Sequence, residues 1–124
     1  MSTLVTANIS DGTTTVGTEY VVQGSAKAWC SWKSTSVDET FGSFNISSRT
    51  DVATGQTALN LSSAFAARDY AGSSDTLSQS TAATYRGGLN YYGCTASALD
   101  YRIGQSSGYI DLDYTAITVT GVLA

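Results

Sequence analysis

The sequence predicts an all-β protein, a small antiparallel β-sandwich or barrel-like module of about seven or eight short strands. Three observations carry that expectation. Apolar residues alternate with polar ones at period two in several short runs, and helical spacing is hard to find. The chain holds 12 glycines and no proline, so its turns are built from Gly, Asn, Asp, Ser and Thr. Its polarity is carried by hydroxyls: Ser and Thr exceed a quarter of the residues, while 13% are charged against about 25% in average soluble domains. A length of 124 residues suits one domain with one modest core. The chain divides into a lead-in segment, residues 1–24, and a sandwich, residues 25–124.

Taken in order, Leu4, Val5 and Ile9 mark a short strand, Asp11-Gly12 a turn, and Tyr20-Val21-Val22 a second extended piece. Over Ala26–Lys33 the alternation is clear: Ala26, Ala28, Cys30 and Trp32 share one face and Lys27, Trp29, Ser31 and Lys33 the other. A Trp on each face calls for partial cover on both. Residues 41–47 read as a strand with Phe44 and Ile46 together, and residues 57–61 as one with Leu59 and Leu61 together. Between them Asp51-Val52-Ala53-Thr54-Gly55 has the form of a hairpin connection, with Gly55 at the position that needs positive φ. Residues 61–70 hold the best candidate for a short helical turn. Further strands are expected near residues 82–85, 89–94 and 99–103. Ile110, Leu112 and Tyr114 then alternate with Tyr109, Asp111 and Asp113, and the phase slips before Ile117 and Val119, so a break is expected near Thr115-Ala116.

Charge excludes some partners. The net charge is −4, and the six basic residues, Lys27, Lys33, Arg49, Arg68, Arg86 and Arg102, are scattered. No cluster exists to displace counterions from a nucleic acid, so none is expected to bind. No run approaches the ~20 apolar residues that cross a bilayer, so membrane insertion is not expected. Residues 1–5 have no basic region and no apolar stretch, so no export signal is expected. Cys30 and Cys94 form one bridge or none; two buried thiols are the expected state, since free Cys is a strongly buried type.

Enzymatic chemistry finds little support. The chain has no histidine, which leaves acid–base work to carboxylates. Asp38-Glu39 suits a solvated turn, and Asp111 with Asp113 a solvated strand face. Neither cysteine sits in a CxxC pair, and no metal or cofactor is expected. Asn45-Ile46-Ser47 and Asn60-Leu61-Ser62 match a glycosylation pattern inside expected strands, and Arg86-Gly87-Gly88 reads as a turn.

Gly24-Ser25-Ala26-Lys27-Ala28-Trp29 followed by Phe44-Asn45-Ile46-Ser47-Ser48 resembles a module found at the C-terminal ends of bacteriophage tail-fibre proteins, common in marine phages. There an Ala-Lys-Ala-Trp strand leads to a Phe-Asn-Val-Ser-Ser strand, a Thr-Gly hairpin and a strand ending near an Asn-Tyr or Asp-Tyr pair. Here the hairpin is Thr54-Gly55 and the pair Asp69-Tyr70. The resemblance covers roughly residues 9–71. It departs at Ser31-Trp32-Lys33, where the family has Asn-Phe, and in lacking proline near the pair. It implies a non-enzymatic structural protein of a phage virion, on a tail fibre or the capsid exterior. It also implies a homotrimer, with residues 1–24 attached to other virion proteins. The expected role is adhesion to a host-surface glycan or outer-membrane protein. A capsid decoration or head-fibre protein and a free lectin-like binder are the alternatives. The expected contact residues are Tyr85, Arg86, Tyr91, Tyr92, Tyr101 and Arg102: Tyr offers large area at low entropic cost, and Gly, Ser and Asn around it adapt their hydrogen bonds.

Overall fold

The computed structural model describes residues 2–3, 5–35, 37–77, 85–105 and 108–124. Among these residues regular structure is almost entirely β: eleven strands in three antiparallel sheets, more than the seven or eight expected. The extra elements are short, and eight longer strands form two facing layers.

The first layer comprises β3 (Ala26–Lys33), β4 (Glu39–Phe44), β7 (Ala71–Leu77) and β11 (Tyr114–Thr120), in the order β4-β3-β11-β7. The second is built on β5 (Ile46–Ala53), β6 (Gln56–Leu61), β8 (Arg86–Leu89) and β9 (Ala98–Gln105), with β9 between β8 and β6 and the short β10 (Gly108–Tyr109) extending from β9. Period-two alternation decides what lies between the layers. Ala28, Cys30 and Trp32 of β3 and Thr115, Ile117 and Val119 of β11 point inward, toward Leu59 and Leu61 of β6 and Leu99, Tyr101 and Ile103 of β9; all are buried. Trp32 and Tyr101 meet across the layers edge to face, ring centroids 5.3 Å apart. Arg49 shares the inward face of β5 with its side chain largely covered, and bonds the exposed Asp38 at 2.7 Å and the Thr40 hydroxyl at 2.7 Å at the margin of this interior. Cys30 and Cys94 are both buried and both free.

Four local expectations need correction. The stretch 41–47 is two strands, because Asn45 adopts φ 58 and turns the chain from one layer to the other. Asn tolerates that left-handed conformation, and its side chain holds the corner by donating to the carbonyls of Lys27 and Ser63, both at 3.0 Å. Tyr20-Val21-Val22 lies in a short helix, α1 (Thr18–Gly24), which follows a hairpin of β1 (Asn8–Ser10) and β2 (Thr15–Gly17). No residue of α1 is buried, so no core pattern marked it. Residues 61–70 form no helix; Phe65 pairs with Leu123 in an isolated bridge instead. The phase slip falls earlier than Thr115, in the irregular stretch 110–113 between β10 and β11. There Asp111 and Asp113 share no strand face: Asp111 accepts from the Gly55 amide at 2.7 Å and Asp113 accepts from the Thr35 hydroxyl. The strand expected at 82–85 lies mostly outside the described residues. The hairpin at Thr54-Gly55 stands as expected, with Gly55 at φ 66. Among the described residues no helix is long and apolar enough to cross a membrane.

Candidate functional site

The outward face of the second layer gathers most of the expected contact residues. Since Leu99, Tyr101 and Ile103 point inward along β9, Asp100, Arg102 and Gly104 point outward. Strand register then sets two rows. Arg86, Gly104 and Tyr109 lie side by side across β8, β9 and β10; Gly88, Arg102 and Gln56 lie side by side across β8, β9 and β6. Arg86 is exposed and, among the described residues, its side chain forms no ion pair or hydrogen bond.

Asp100 organises this surface. Its carboxylate is almost buried, accepting from the Asn90 side chain at 2.6 Å, from the Gln56 side chain at 3.3 Å and from Arg102 at 3.2 Å. A carboxylate removed from water needs such partners. Arg102 is thereby held in place, and its other guanidinium nitrogen reaches the Tyr109 hydroxyl at 3.4 Å. The turn after Asn90 folds over Asp100: the Asn90 amide donates to the Asp100 carbonyl at 2.7 Å, and a methyl group placed on Gly93 would overlap the Asp100 carboxylate. The turn therefore needs glycine where it crosses the carboxylate.

Tyr91 and Tyr92 sit at the tip of that turn, 64% and 92% exposed, with their rings edge to face at 5.6 Å. Arg68 steadies them, its guanidinium 4.1 Å from the Tyr91 ring centre and one nitrogen donating to the Tyr91 and Cys94 carbonyls at 3.3 and 3.4 Å. The expected strand over residues 89–94 ends at Leu89, so both tyrosines point outward rather than one.

Two expected residues leave the site. Tyr101 is 0% exposed and belongs to the core, where its ring packs on Trp32, so it touches no ligand at the surface. Tyr85 is half-buried against the same core. Arg86-Gly87-Gly88 is strand rather than turn. Gly87 faces inward, where a methyl group would overlap the Tyr101 hydroxyl. Sequence reading overlooked Asp100, Gln56, Asn90, Arg68 and Tyr109. Of these only Tyr109 carried a signal, being an exposed-phase aromatic beside a turn. The chain matches no protein-family model, no curated protein and no solved structure.

Proposed function

We propose that the chain is a structural virion protein of a tailed phage, placed at a fibre tip, that adheres to the host surface through the outward face of the second layer. The observation that carries this reading is the gathering of Arg86, Arg102, Tyr109 and the Tyr91-Tyr92 turn on one open face. Rigid tyrosines presented beside adaptable Gly and Asn suit adhesion at many weak sites, which three copies in a homotrimer multiply by avidity. Residues 5–24 support the attachment role. Their hairpin and helix expose Ile9, Val16, Tyr20, Val21 and Val22, and a two-stranded hairpin with a seven-residue helix is marginal in water without a partner. That partner is another virion protein.

Adsorption of phage carrying Tyr92→Ala tests the reading. The side chain is exposed, so its loss spares the fold, and adsorption is expected to slow by about tenfold. Unchanged adsorption, with antibody against the domain labelling the head, would replace the fibre-tip reading with capsid decoration.

A further inference from the structure

We infer that the face between Arg86 and Arg102 takes an acidic polysaccharide, binding the carboxylate of a uronic-acid residue; this rests on the adhesive reading above and names its ligand class. The chain carries a net charge of −4, yet this face presents cations. Arg49 is paired with Asp38, and Lys27 and Lys33 lie on the outward side of the first layer. Arg86 has no partner of its own among the described residues. Asp100 is nearly buried with its oxygens taken by Asn90, Gln56 and Arg102, so it orients Arg102 without offering a free anion to repel a ligand.

The register places Arg86 and Arg102 diagonally across β8 and β9, positions that are roughly 7–8 Å apart in an antiparallel pair, so the free Arg86 guanidinium can swing toward the anchored Arg102 guanidinium and the two can share one carboxylate. The residues facing them are Gly88 and Gly104. The outward Cβ of Gly88 would meet open space, leaving a floor of bare backbone on which a flat ring can settle. Tyr109 lies beside Gly104, 59% exposed, its ring centre 5.9 Å from the Arg102 guanidinium, and offers an apolar face to a sugar ring with its hydroxyl already anchored. An open face with one or two anion contacts suits a polymer bearing one carboxylate per sugar. It does not suit the denser phosphates of nucleic acid, which reward many cations at once.

The test measures binding of the full chain to immobilised polygalacturonate and alginate, against methyl-esterified polygalacturonate and dextran sulfate. Binding to the free uronates is expected, weaker by about tenfold or more on the esterified polymer, and lowered by about 0.5 M salt. Arg86→Ala, at an exposed side chain, is expected to lose about tenfold, and Gly88→Val a similar factor with the unfolding temperature unchanged. Equal binding to esterified polymer, dextran sulfate binding as tight as uronate, or full binding by Arg86→Ala would each overturn the inference. If neither uronate binds while Tyr92→Ala still loses adsorption, the ligand class falls and the adhesive reading stands. If uronate binds as expected and no variant alters adsorption, the site stands and its adhesive role falls.

Discussion

Replacing Gly55 by alanine is the sharpest probe of how the fold carries its binding face. Gly55 sits at φ 66 in the β5–β6 hairpin, where the chain passes close to β9 and to the segment after β10. Its carbonyl accepts from the Ile103 amide at 2.8 Å, and its amide donates to Asp111 at 2.7 Å. An added Cβ would stand 2.5 Å from the Ile103 carbonyl oxygen, and 2.7 and 2.9 Å from the Ile110 amide nitrogen and carbonyl oxygen. Those are backbone atoms, which cannot swing aside as a side chain would. An L-residue held in the left-handed region costs about 1–2 kcal/mol. Forced overlap in a packed site costs about 1–3 kcal/mol more. The sum, about 2–5 kcal/mol, lowers the melting temperature by about 8–20 °C at roughly 4 °C per kcal/mol for a domain this size. Thermal unfolding followed by circular dichroism measures it. Gly12→Ala is the comparison: Gly12 also has positive φ, at 94, but a Cβ there meets nothing within 4 Å. It lies in the β1–β2 hairpin, apart from the core cluster, so the global transition is expected to move by less than about 2 °C. Equal, small shifts for both variants would refute the claim that backbone crowding at Gly55 pins Ile110 and, with it, Tyr109.

Three further outcomes are expected. Leu59→Ala, at a fully buried position paired with Leu99, should lower stability by about 2–5 kcal/mol in urea unfolding; a loss under about 1 kcal/mol would mean the two layers do not pack there as described. Burial pushes the Cys30 thiol up from 9.0 to about 11 and raises the Tyr101 phenol as well. The unfolded chain therefore loses the thiol proton first, so stability holds below about pH 9 and falls as pH rises from there toward 11. Cys30→Ala should flatten that decline, and fast thiol labelling of native protein at pH 8 would contradict the burial. Removing residues 1–24 should leave the melting temperature within about 3 °C, since none of their described residues is buried; a large drop would show that the lead-in segment belongs to the core.

Some of this protein was legible in its residues alone. Where one face of a strand is buried, alternation must follow the pleat, so Ala26–Lys33 with Ala28, Cys30 and Trp32 inward, and Leu59 with Leu61 on β6, could be read directly. Gly55 was legible because a left-handed turn position leaves few other choices. Other features depend on partners distant along the chain. Asn45 turns a corner because carbonyls at Lys27 and Ser63 wait for its amide. The exposed helix α1 buries nothing and so wrote no periodic pattern. The candidate site divided in the same way. Tyr91, Tyr92, Arg86 and Arg102 could be named as residue types suited to contact. Only the register of β8, β9 and β10 set the two arginines diagonally, turned Tyr101 into the core and brought Tyr109 beside them. Local alternation tells a strand which residues face in. Which strands become neighbours, and so which outward residues meet, is settled by long-range pairing that no short stretch of sequence encodes.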